Sequence, residues 1–330
     1  MTFSSEAPSL FRNGKTKRMT LLAGVDRRRM MNAGLGLGCA VMLGGLPGCG
    51  RKDPESEIIP DGTEGEEVID PKLARQEGTI EWAVVGSWRS TTDKARDKFR
   101  HPIALLNFFE VRPKHTVVDM WPGFGYMSEI LAPYLTHGKG RYVAALFEKA
   151  KADQAQGALN EKYRERFSSN KKLYGAVDFT EFGPDSGALV PAGTADCVLM
   201  LLVIQDWMIR GSVEKAFEDA FAALKPGGIL GVEQHRADIG AAQEPAGAQG
   251  YVQEPFVRQL AAEAGFQFVK ASEINANPKD DKDHPFGVWT LPPYRQTAER
   301  GQPPNPEFDG ALYESIGESD RMTLKFRKPQ

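Results

Sequence analysis

Disulfide pairs, basic stripes and long apolar runs are all scarce in this 330-residue chain, and each scarcity excludes something. It has three cysteines, Cys39, Cys49 and Cys197. Only Cys197 lies in the main body, so no disulfide framework holds that body together, and within its apolar strand this thiol reads as a small core residue. The body has no Lys/Arg stripe, which argues against a nucleic-acid partner. The uncharged run that follows Arg27-Arg28-Arg29 is too short and too rich in glycine to span a bilayer. Residues 50–78 have few large apolar side chains but many acids, prolines and glycines, and read as a solvated acidic linker over 49–78. No internal repeat is found.

What is present divides the chain. The formal net charge is −3 and 41% of residues are hydrophobic, as in a globular protein. Residues 1–48 hold seven basic against two acidic side chains, so the remainder, with 34 basic and 42 acidic, carries −8. A basic cluster, a short apolar run and Leu46-Pro47-Gly48-Cys49 have the order of an export signal. The consecutive arginines resemble a twin-arginine signal, and the last four residues resemble a lipobox in which Cys49 is acylated, although Pro47 is unusual there. The expectation is export to the periplasmic side of a bacterial membrane with a lipid anchor at Cys49, or a cytoplasmic protein if the signal is unused.

From Thr79 the chain alternates strands and helices, which predicts a doubly wound, mostly parallel α/β sheet. Residues 91–110 read as helical, interrupted at Pro102. Expected strands follow at Thr116–Met120, Tyr142–Phe147, Lys172–Asp178, Ala195–Val203, Ile229–Glu233, Phe266–Ser272 and Arg321–Phe326. Expected helices begin near Met127, span about Glu148–Phe167, run through Val213–Leu224 and open at Pro255. The central stretch is Val117-Val118-Asp119-Met120-Trp121-Pro122-Gly123-Phe124-Gly125-Tyr126, a strand, a glycine turn and a helix start. Glycines there let a ligand approach the backbone, and free N–H groups of the new helix point at the same place. The same turn also arises for geometric reasons alone.

These parts, in this order, with Leu224-Lys225-Pro226-Gly227-Gly228 before the fifth strand and Ala264-Gly265-Phe266 at a helix end, resemble class I S-adenosylmethionine-dependent methyltransferases over about residues 90–330. The Trp-Pro-Gly turn and the segment Asn277–Pro293 are similar to a bacterial branch described only as predicted methyltransferases. The resemblance implies a Rossmann-like, seven-stranded sheet with an antiparallel last strand. It also implies S-adenosylmethionine across the carboxyl ends of the first strands. Asp119, Gly123 and Gly125 match its cofactor turn, and Asp178-Phe179 match the segment that borders the adenine. Two positions depart: Trp121 replaces the first glycine, and the acid that grips the ribose falls on Leu146, with Glu148 two residues late. Trp121, Phe124 and Tyr126 offer aromatic faces to the sulfonium cation, or else simply pack. A dinucleotide site would want a third glycine where Ser128 stands.

Methyl transfer requires two oriented reactants and removal of a proton. Asp206 follows the fourth strand; Glu233 and His235 share one face at the end of the fifth. His235 is the expected base and Glu233 its orienting partner, with structural roles as the alternative for each. No metal site is expected, although Asp280, Asp281, Asp283 and His284 stand in the long segment 276–320, which reads as a lid or substrate wall. Two functions follow. One is an exported, tethered methyltransferase for a small-molecule or envelope acceptor; the other is a noncatalytic envelope lipoprotein that uses the fold to bind a ligand. If Cys49 carries the anchor, Cys49→Ala protein leaves the membrane fraction on cell fractionation; unchanged membrane association overturns that anchor.

Overall fold

The computed structural model describes residues 67–245 and 247–330. The export signal, Cys49 and the linker up to residue 66 lie outside the described residues. The chain from Glu67 onward opens with five short helices, α1 (Pro71–Ala74), α2 (Ile80–Val85), α3 (Thr91–Lys94), α4 (Asp97–Arg100) and α5 (Pro102–Phe108). Then come β1 (Thr116–Met120), α6 (Ser128–His137), β2 (Arg141–Phe147), α7 (Gln154–Ser169), α8 (Lys171–Tyr174) and β3 (Asp178–Phe182). The second half runs β4 (Ala195–Leu201), α9 (Ile204–Arg210), α10 (Val213–Ala223), β5 (Leu224–His235), α11 (Glu254–Glu263), β6 (Gln267–Ser272), α12 (Ala311–Ile316) and β7 (Arg321–Arg327).

One sheet has the order β3-β2-β1-β4-β5-β7-β6. β7 runs antiparallel to both of its neighbours, and the other pairings are parallel. This is the doubly wound, seven-stranded α/β sheet that the sequence predicts. Strand alternation divides its side chains between two cores. Val117, Cys197, Leu199 and Ile229 face α2, α5 and α6; Val118, Met120, Val198, Met200, Leu230 and Val232 face α9, α10 and α11. The order reverses between β1 and β4, and the carboxyl ends there open a crevice, the usual ligand position in such sheets.

Several expected boundaries are corrected. Residues 67–78 are not a solvated tether: the Glu67 carboxylate accepts from the backbone N–H groups of Ile103 (3.2 Å) and Ala104 (2.5 Å), the free end of α5. The expected helix over 91–110 is three short helices, broken where His101 takes a left-handed conformation (φ +36°) before Pro102. The third strand begins at Asp178 instead of Lys172, because Tyr174 binds Thr136 of α6 through its carbonyl (2.9 Å), and pairing with β2 starts at Val143 and Asp178. α7 starts at Gln154, where Asp153 and Gln156 form a capping box. The Leu-Lys-Pro-Gly-Gly turn is built for the sheet. The Lys328 ammonium donates to the Phe221 and Leu224 carbonyls at the end of α10, and Gly227 N–H donates to the Lys328 carbonyl.

Gly231 shows how closely the first core is packed: a Cβ added there would lie 2.7 Å from the fully buried Phe109 ring. Gly231→Ala is expected to cost about 1–3 kcal/mol of stability by overpacking. Chemical denaturation measures it, and an unchanged midpoint would mean that the ring gives way freely.

Candidate active site

β1 delivers its last residues to the crevice, and the turn after it is unusual. Trp121 has φ +54°, a left-handed conformation that a bulky residue seldom takes. Gly123 (φ +59°) has no atom within 4 Å of an added Cβ, so its face toward the crevice is open. Gly125 (φ +90°) has another purpose, since a Cβ there would stand 2.7 Å from the Phe167 ring. A cavity of about 260 Å3 lies beside this turn. Asp119, Glu233, His235, Ser319 and Arg321 supply its polar wall, and Phe147, Leu159 and Met127 form an apolar end. Val288, Trp289, Pro292, Pro293 and Tyr294 close over it. The volume is just under the roughly 300–1,000 Å3 common for drug-sized ligands.

The segment 276–320 is therefore a wall of the cavity, as expected of a lid. Its acids differ: Asp281 and Asp283 are exposed, as in a solvated loop, but Asp280 is not. Asp280 is 2% exposed and accepts from the Tyr251 hydroxyl (2.9 Å) and the Asp320 N–H (2.8 Å), with His284 Nε2 at 2.8 Å. Asn277 donates to the Ile316 and Glu318 carbonyls, which fastens the segment to the approach of β7.

Behind the polar wall is a charge cluster. Glu318 accepts from Arg96 Nε (2.9 Å), Arg100 Nε (2.8 Å) and Arg321 Nη2. Burial alone would raise its carboxyl, but Arg100, Arg321 and Arg96 outweigh burial and hold it well below the usual range. Arg321 also donates to Glu233 (3.1 Å), which accepts in addition from Asn275 (2.8 Å). Glu233 is thus committed to Arg321 and Asn275 and does not orient His235. Ser319 takes that place, with its hydroxyl 2.5 Å from His235 Nδ1. Burial, aided by Arg321 and Arg100, pushes the His235 imidazole down to about 3. It is held neutral at ordinary pH and is a weak base for the role expected of it.

Asp119 is 1% exposed, and the Tyr142 hydroxyl donates to its Oδ2 at 2.8 Å. Ser128 Oγ lies 2.8 Å from that hydroxyl and 2.6 Å from the Tyr163 hydroxyl, so Tyr163, Ser128 and Tyr142 form a relay ending on the carboxyl. Burial pushes Asp119 up to about 7. Asp206, half-buried at the start of α9, is also raised by burial.

Other expected residues stand elsewhere. Asp178 is the first residue of β3, at the amino end, in an exposed ion pair with Arg141 (2.7 Å). Phe179 follows it and packs near Tyr163, 6.3 Å between ring centroids. Neither borders the cavity, because the strand begins six residues later than its apolar pattern suggests. The Glu148 carboxylate accepts from the Asp185 N–H (3.1 Å), and Leu146 is buried in the core, so no acid from β2 reaches the cavity. Tyr126 has three guanidiniums over its ring, from Arg100 (4.8 Å), Arg89 (5.2 Å) and Arg96 (5.4 Å), and is no open cation seat. The Trp121 indole is 8% exposed, lies against Phe147, Trp207 and Phe182, and donates from Nε1 to the Phe182 carbonyl at 2.9 Å. Phe124 stays open at 76% exposure. Ser319, Arg321 and Tyr142 belong to the site and were missed, and Arg96 and Arg100, which read in the sequence as a solvated helix face, turn inward to Glu318. For Ser319 and Arg321 the sequence signal was the polar run Glu318-Ser319-Asp320-Arg321 leading into the last strand.

No family model matches the chain, and no curated protein matches it. Solved structures of similar fold include the [4+2]-cyclase SpnF, at 16% identity and TM-score 0.46 over 70% of this chain and 81% of that one. Another is an S-adenosylmethionine-dependent methyltransferase from Aquifex aeolicus (16%, 0.40, 55% and 87%). A third is phosphoethanolamine N-methyltransferase 2 from Haemonchus contortus, solved with S-adenosyl-L-methionine (14%, 0.43, 70% and 53%). At these values the likeness concerns chain path, and the roles assigned to side chains here come from the geometry above.

Between pH 3.8, the ordinary value for an aspartate, and about 7, folded Asp119 keeps a proton that the unfolded chain has released. Its contribution to stability therefore falls as pH rises through that window and is level above it. Relative to Asp119→Asn, the wild type should lose up to about 1.4 kcal/mol per pH unit there. Denaturation curves at several pH values measure this, and parallel curves would mean that the carboxyl ionises normally.

Proposed function

We propose that this protein is an S-adenosylmethionine-dependent methyltransferase for a small acceptor. The observation that carries the reading is a roofed cavity at the carboxyl ends of β1, β4 and β5, beside a turn whose Gly123 leaves the backbone open. Asp119 Oδ1 has no partner among the described residues and would hold the cationic end of the cofactor, while Phe147, Leu159 and Met127 would meet its apolar part. The donor set lacks a ribose acid, which leaves the nucleoside held by ring contacts and backbone. When bound, the cofactor supplies an electrophilic methyl group. The chain's own part is to orient the acceptor and take its proton. His235, neutral, has no partner at Nε2 among the described residues and would position an acceptor hydroxyl or amine there; Asp206, raised by burial, is better matched to accept the proton. Trp289 and Tyr294 exclude water from above.

A second reading, a noncatalytic module that binds a ligand through the same fold, is favoured by one observation. The Trp121 indole fills the space off the ends of β2 and β3, and the acid expected at β2 is absent. For either reading we propose an envelope setting outside the cytoplasm, with membrane tethering through Cys49; the sequence Arg27-Arg28-Arg29 and the Leu46–Cys49 segment support it.

Thermal-shift titration separates the two. A ligand at a hundred times its Kd adds about 2.7 kcal/mol to stability. S-adenosylmethionine and S-adenosylhomocysteine should each raise the Tm of the purified protein, and no shift with either would leave the binding module.

A further inference from the structure

We propose that the space filled by the Trp121 indole is a seat for the amino-substituted heteroaromatic base of the ligand, and that the indole is its built-in occupant, which leaves as the ligand enters. The inference rests on the reading of the cavity as an adenosyl-cofactor site. It starts from the backbone. A tryptophan at φ +54° holds a conformation that glycine takes without strain, so its ring must be held by what surrounds it.

Those surroundings are a slot for a flat ring. Phe147, the last residue of β2, lies 4.5 Å away between centroids, Trp207 of α9 lies 5.7 Å away, and Phe182, the last residue of β3, lies 6.1 Å away. Two polar groups belong to this ring cluster. The Phe182 carbonyl accepts from Trp121 Nε1 at 2.9 Å. Trp207 Nε1 is buried and has no partner among the described residues, an orphan donor in the same ring cluster. An indole has one N–H and no ring acceptor, so it satisfies the first group and leaves the second costly and unpaired. A flat base bearing both an amino N–H and a ring nitrogen acceptor would satisfy both. The slot also joins the cavity, because Trp121 and Phe147 line each of them.

A ligand that must wait for the indole to leave binds with its intrinsic affinity reduced by the fraction of open molecules. Trp121→Gly removes the occupant and suits the backbone conformation. By calorimetric titration of the full chain, S-adenosylhomocysteine should bind Trp121→Gly about tenfold or more tightly than wild type. The variant should also prefer adenosine to purine riboside, which lacks the amino group. Equal affinity of variant and wild type for S-adenosylhomocysteine overturns the seat and leaves the cofactor reading standing. Adenosine bound by the variant, with S-adenosylhomocysteine bound by neither protein, supports the seat and removes that reading. Binding of neither compound to either protein overturns both. If circular dichroism shows Trp121→Gly unfolded, Trp121→Phe, which keeps a ring but loses the bond to Phe182, should bind several-fold more tightly than wild type, and an unchanged affinity overturns the proposal.

Discussion

A carboxylate taken out of water must bring its counter-charges with it, and the structure around the cavity follows from how Glu318 does so. At 2% exposure it is held by Arg96 and Arg100 from the helices before β1 and by Arg321 at the head of β7. Arg321 in turn holds Glu233 of β5, whose oxygen also receives Asn275 from the connection after β6. One buried network thus joins four parts of the chain that are far apart in sequence. Each buried charge in it depends on partners from other parts of the chain, so these parts have little freedom to move independently.

That rigidity sets the chemistry of the cavity wall. His235 of β5 stands directly opposite Arg321 of β7, and burial, together with that nearby charge, keeps the imidazole neutral. Asp119 and Asp206 lie where no arginine is close enough to outweigh burial, and both hold their protons to higher pH than an exposed carboxyl. Glu318, as buried as Asp119, does the opposite because three guanidiniums surround it. Four titratable groups within one site are therefore separated by surroundings instead of residue type, which is how a site obtains a proton acceptor and a neutral hydrogen-bond partner side by side.

The opposite end of the crevice is governed by ring packing. Trp121, Phe147, Phe182 and Trp207 meet edge to face or tilted, geometries that suit aromatic quadrupoles, and the cluster fastens the ends of β2 and β3 to α9. The guanidinium of Arg210 lies 5.7 Å from the Trp121 ring. Of the three aromatic faces that the turn after β1 presents, two are thus already matched with cations of the protein itself, and Phe124 alone stays open.

The sheet was largely legible in the sequence. Runs such as Val117–Met120 and Cys197–Leu201, buried on both faces, have no other comfortable place than the middle of a parallel sheet, and the Val213–Leu224 periodicity fits only a helix lying on it. Where apolar residues packed against a helix instead of pairing, as at Leu173 and Tyr174, the same pattern misplaced β3 and carried Asp178 and Phe179 into the site with it. Asp119, Gly123, Asp206, Glu233 and His235 were legible because a strand's carboxyl end fixes where its last residues go. Their partners were not: Ser319 reaches His235 from 84 positions away, and Arg100 reaches Glu318 from 218. Local sequence determines which elements form and which face of each is apolar. Which charge meets which, and whether a ring is a wall, an anchor or an occupant, depends on contacts between distant segments, and these exist only once the chain has closed on itself.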